Sequence, residues 1–135
     1  MSYTVYLQKF KNGDSASIPY DELEKVLTRY GKIEMGHSEL EFVSNVGEMF
    51  EDATFTGNLE DGISGICFNR PTLNDKFPLL VFDLLKIKNT CFFGTDMEFV
   101  NSRYEMTNHY PESLTENLPE EPKIISQAME NWLLK

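Results

Sequence analysis

The feature that most constrains this chain is one apolar stretch, Gly62 to Thr95, GISGICFNRPTLNDKFPLLVFDLLKIKNTCFFGT. Ile63, Ile66 and Phe68 lie in a short apolar run that Asn69-Arg70-Pro71 closes. Phe77, Leu80, Val81, Leu84, Leu85 and Ile87 then recur at helical spacing, and Cys91-Phe92-Phe93 follows as a second short run. The pattern predicts strand, turn, helix, strand. Proline is tolerated only in the first turn of a helix, so the helix is expected to begin between Asn74 and Pro78 and to run to about Lys88. The rest of the chain is more polar, and this unit is expected to form the core.

Residues on either side supply further elements. Tyr3, Val5 and Leu7 alternate with Thr4, Tyr6 and Gln8, which predicts a strand, and Lys11-Asn12-Gly13-Asp14 predicts a turn. A helix is expected over Tyr20–Tyr30, with Pro19 at its start, Asp21, Glu22 and Glu24 near the positive end of its dipole, and Leu23, Val26 and Leu27 as its buried stripe. Gly31 is expected as its left-handed stop. Short strands at Ile33–Met35, Leu40–Val43 and Thr54–Thr56, joined by short connections, predict an antiparallel meander leading into the central unit. Ser44 to Ala53 has no clear pattern. Beyond Gly94 the prolines 111, 119 and 122 rule out a long helix, and the chain is expected to close with a strand at Lys123–Ser126 and a helix over Gln127–Leu134.

The charge is unevenly spread. Lysine and arginine number 12 against 22 aspartates and glutamates, for a formal net charge of −10. Residues 31–61 hold one cation and eight acids, and residues 91–121 hold one cation and seven acids. An acidic field repels nucleic acid backbones and favours a basic protein partner. Within the first acidic segment, Glu48, Glu51, Asp52, Glu60 and Asp61 interleave with Met49, Phe50, Phe55 and Leu59. The mixture reads either as a solvated loop over core anchors or as a surface for a basic partner. The partner-binding reading rests on Glu48, Phe50, Glu51, Asp52, Phe55, Glu60 and Asp61.

Residues for other chemistry are not arranged for it. His37 and His109 lie in turn-like contexts away from any nucleophile signature, so no catalytic residue is assigned. Cys67 and Cys91 do not form a metal-binding pair, no calcium-loop spacing occurs, and no glycine-rich phosphate loop precedes a helix, so no metal or cofactor is expected. Both cysteines sit in apolar runs and are expected to be buried, reduced thiols. Arg70 is expected to pair with a nearby carboxylate and fix the turn. No apolar run approaches the ~20 residues of a spanning helix, and the opening MSYTVYLQKF has no apolar core behind a basic head. A cytoplasmic location, with no membrane partner, is expected.

The opening Tyr3-Thr-Val-Tyr-Leu-Gln-Lys-Phe10 with Gly13, then Ile18-Pro19 and a short helix, resembles a family of small acidic bacterial proteins. In that family a meander follows, with a strand ending in Asn-Arg-Pro and an amphipathic helix; Ile66-Cys-Phe-Asn-Arg-Pro71 and Phe77–Leu85 stand at matching places. Lys123–Ile125 followed by Ser126 and a helix fits its ending. The resemblance spans nearly the whole chain and rests on structural motifs. Such families are similar to immunity proteins of contact-dependent and other polymorphic toxin systems, small cytosolic proteins that neutralise a toxin domain by binding it. The resemblance implies a non-enzymatic protein whose partner is a cognate toxin domain, expected to be basic. An acidic regulator or nucleic-acid mimic, a small enzyme with an unmarked carboxylate site, and a stand-alone structural module with no dedicated partner are the competing readings. The expected architecture is a single α+β domain over residues 1–135, a mostly antiparallel sheet with about three helices packed on it.

Overall fold

The computed structural model describes residues 4–35, 40–44, 49–71, 76–94, 99–116, 118–119 and 121–128. The fold is α+β, with a sheet larger than the sequence suggests. Its described strands are β1 (Thr4–Lys11), β2 (Asp14–Ser15), β3 (Gly31–Met35), β4 (Leu40–Ser44), β5 (Asp52–Asn58), β6 (Gly62–Asn69), β7 (Thr90–Gly94), β8 (Val100–Ser102) and β9 (Lys123–Ile124). They lie in the order β3-β4-β5-β6-β1-β7-β8-β9, with β2 paired to β1. Neighbours are antiparallel except β8 and β9, which are parallel.

The meander holds, since β3 to β6 follow one another in sequence and in space. The central unit does not close on itself. Strands β6 and β7 both pair antiparallel with β1, which lies between them. The helix α2 (Lys76–Leu84) therefore carries the chain across β1, from one of its neighbours to the other. Cys67 pairs in register with Tyr6 and Cys91 with Gln8, so β1 separates the two cysteines. Cys91 is buried as expected; Cys67 is half-buried, because its side chain alternates to the opposite face from Ile66 and Phe68.

One face of the sheet carries the main core. Val5, Leu7, Phe42, Ala53, Phe55, Ile66, Phe68 and Phe92 point to it. They meet Leu23, Val26 and Leu27 of α1 (Tyr20–Leu27) and Phe77, Leu80, Val81 and Leu84 of α2. Phe68 and Phe77 pack edge to face with ring centroids 5.1 Å apart. Between Thr56 and Gly57 the β5–β6 register shifts, leaving Ser64 unpaired as a bulge. The extra residue re-phases β6, so Ile63 and Ile66 both reach the core although three positions apart. Among the described residues, the opposite face is covered only over β1, β7 and β8. There Phe10, Cys91 and Val100 meet Met106 and Leu114 from the segment after β8, which includes a one-turn helix α3 (Glu112–Thr115).

Several local expectations are corrected. The helix α1 ends at Leu27, and Gly31 is not its left-handed stop; it opens β3. A Cβ at Gly31 would lie 2.0 Å from the Val43 carbonyl oxygen, so glycine is kept there for close approach of β4. The helix α2 ends at Leu84, and the left-handed turn residue after it is Asn89, with φ 63°. Pro78, the proline within the helix, lies in its first turn as its chemistry requires. The expected closing strand is only Lys123–Ile124. The expected helix over Gln127–Leu134 lies outside the described residues beyond Ala128, as does the connection at Gly36-His37-Ser38.

Candidate functional site

Alternation along β3 to β6 sends every second side chain away from the core, and no described segment covers that side. The registers align these side chains into a row across the sheet: Glu34, Glu41, Thr54, Cys67, Tyr6 and Phe93. At its inner end the row meets the covered half, where Tyr6 stacks on Phe93 with centroids 5.3 Å apart. At its outer end Glu34 and Glu41 stand directly opposite each other on paired strands. Like charges so placed repel, and Lys32, 3.4 Å from Glu34, offsets part of that cost.

A second row is held by hydrogen bonds. The Thr4 hydroxyl donates to Asn69 Oδ1 at 2.8 Å, and Asn69 Nδ2 donates to Asp52 Oδ1 at 2.5 Å. This fixes the Asp52 carboxylate on the open face at the start of β5. Between the described residues of β4 and β5 the ladder has a single pair, Glu41 with Thr54. Beside it lies a cleft of about 240 Å³ lined by Glu41, Val43, Phe50, Glu51 and Asp52, among others. Val43 is exposed there.

The structure thus brings together part of the acidic arc read from the sequence and separates the rest. Phe50, Glu51 and Asp52 share the cleft. Phe50 is half-buried against Phe42, Phe68 and Phe77. Glu51 lies 3.3 Å from Arg70 Nε, so Arg70 pairs with a nearby carboxylate as expected, and the Glu51 N–H donates to the Asn69 carbonyl beside it. Phe55 is 6% exposed and belongs to the core, where a docked partner cannot reach it. Glu60 and Asp61 lie at the far end of the β5–β6 hairpin, roughly 20 Å of strand away from Asp52. There the Asp61 N–H donates to Asn58 Oδ1 at 2.7 Å, and Asn58 Nδ2 donates to Asp61 Oδ2 at 3.2 Å, a turn-stabilising bracket. Glu48 lies outside the described residues.

Sequence reasoning missed Glu34, Glu41, Val43 and Tyr6. Their alternation was visible, but their alignment with Asp52 depends on strand register, which short polar strands do not reveal. His109 has a structural role: its Nδ1 accepts the Asn12 N–H at 3.1 Å, tying the β1–β2 turn to the covering segment. Among the described residues no three His, Cys, Asp or Glu side chains converge closely enough to hold a metal ion, and no helix is long and apolar enough to cross a membrane. Compared with protein-family models, curated proteins and solved structures, the chain matches none.

Proposed function

We propose that this chain is a non-enzymatic immunity protein of the bacterial cytoplasm, which binds and neutralises a basic toxin domain through the open face of β3, β4, β5 and β6. One observation carries the reading. Among the described residues, a single sheet is covered on both faces over β1, β7 and β8 but left uncovered on one face over four strands, and the uncovered part bears Glu34, Glu41 and Asp52. Opposed glutamates lower the stability of the free protein, and a cationic partner would relieve that repulsion. Val43 and Tyr6 supply apolar contact beside the charges, the combination that suits a basic protein surface. The net charge of −10 speeds encounter with such a partner and opposes binding to phosphate backbones.

The test is co-expression with the product of the neighbouring gene, followed by binding kinetics at low and high salt. Glu41→Lys combined with Asp52→Lys should slow association about tenfold or more at low salt, the lower range of electrostatic steering. The difference should shrink at high salt, where exposed charges are screened. Host protection and low-salt association that are both unchanged by the double variant would remove the open face from the interaction.

A further inference from the structure

A second concavity lies on the same side of the sheet at its other end, over β8 and β9. It encloses about 330 Å³, enough for a small organic group. Its lining is mixed: Ile124 on β9, 53% exposed, and Pro122 are the apolar surface a ligand can reach, Met106 is only 2% exposed, and Ser102, Thr107 and Thr115 are polar. Tyr110 also lines it, and Glu105 and Glu121 supply its charge, with no cation among the described lining residues. Glu105 is oriented by its neighbours. Its Oε1 accepts the Thr107 N–H at 2.8 Å and also the Thr107 hydroxyl, and these bonds hold the carboxyl below its usual range. The carboxylate therefore stays ionised at neutral pH.

A cavity with one apolar wall and two carboxylates disfavours anions by repulsion, and a purely apolar ligand would desolvate the carboxylates without compensation. The ligand it complements has a short aliphatic stem and a cationic head. We propose that this pocket binds an alkyl ammonium or guanidinium group, with its stem against Pro122 and Ile124 and its cation at Glu105 and Glu121. That chemistry is shared by an arginine or lysine side chain and by a free polyamine. The inference stands apart from the open-face reading, because the residues involved are different.

The experiment is methyl and aromatic NMR on the full chain, titrated with agmatine, cadaverine and a blocked Gly-Arg-Gly peptide. Saturable shifts at Met106, Ile124 and Tyr110 with a roughly millimolar dissociation constant are expected for so small a ligand. Pentanol and pentanoate, matched in length, should not saturate these signals. Glu105→Gln with Glu121→Gln should weaken agmatine roughly fivefold, the range of one exposed ion pair. Glu121→Gln alone serves if the double variant perturbs the fold, and Glu22→Gln, on α1 across the sheet, should change nothing. Binding of agmatine but not the peptide identifies a free cation as the ligand; binding of both identifies a protein side chain. Equal binding of pentanol, undiminished binding by the Gln variants, or shifts spread over the acidic surface without saturation at this pocket would overturn the proposal.

Discussion

Leu84 and Leu79 lie on the same helix, five residues apart, and differ chiefly in exposure: Leu84 is 0% exposed and Leu79 47%. Truncating each to alanine isolates the burial contribution of α2. At Leu84 the change removes about three methylene equivalents from the core, or about 2.4 kcal/mol of transfer free energy. A residual cavity of about 50 Å³ adds roughly 1 kcal/mol. The expected loss for Leu84→Ala is therefore about 3.5 kcal/mol. For a chain of 135 residues the unfolding entropy is about 0.28 kcal/mol per degree, so the melting temperature should fall by about 12 °C. Leu79→Ala should stay within about 0.5 kcal/mol of the parent, because its side chain is already half in water and alanine is a good helix former. The assay is urea unfolding followed by far-UV circular dichroism, with the slope checked for constancy so that midpoints compare stabilities. Equal midpoints for the two variants would show that α2 does not pack by the face described here, and the core assignment would fail.

Three further outcomes are expected. Under native conditions a thiol reagent should label Cys67, which is half-buried on the open face, well before Cys91, which is buried and whose thiol is pushed up by desolvation; faster loss of Cys91 would contradict the covering of β7. The Tyr30 hydroxyl donates to Asp83, joining the turn after α1 to α2, and burial together with that bond and the Asp83 charge raises its pKa from 10.0 to about 12. The folded state thus holds the phenol proton more tightly than the unfolded chain, and this stabilisation is whole below pH 10 and is lost as pH rises to 12. Across pH 9 to 11.5 the stability advantage of the parent over Tyr30→Phe should therefore shrink, and an advantage that grows would refute the sign. Glu41→Lys converts an opposed like-charge pair on β3 and β4 into an opposite-charge pair, and should raise stability by roughly 0.2–1 kcal/mol; a loss of stability on denaturation would contradict the register of Glu34 with Glu41.

The local elements were legible in the residues alone: the apolar strand before Asn69, the helix that tolerates Pro78 only in its first turn, the strand at Cys91–Phe93, the meander, and Arg70 as the partner of a nearby carboxylate. Each depends on contacts close in the chain or on a side-chain period that a single segment carries. Tertiary structure alone decided which strands are neighbours. The insertion of β1 between β6 and β7 joins residues about 60 and 85 positions apart, and no period within either strand encodes that choice. It also decided what the acids do. An arc continuous in sequence is split between the two ends of a hairpin, while Glu34, Glu41 and Asp52, dispersed in sequence, share one face. Gly31 shows the same division at one residue. Its position after a helix suggests a left-handed stop, but the close approach of the Val43 carbonyl is what requires glycine, and that contact exists only once β4 has folded against β3.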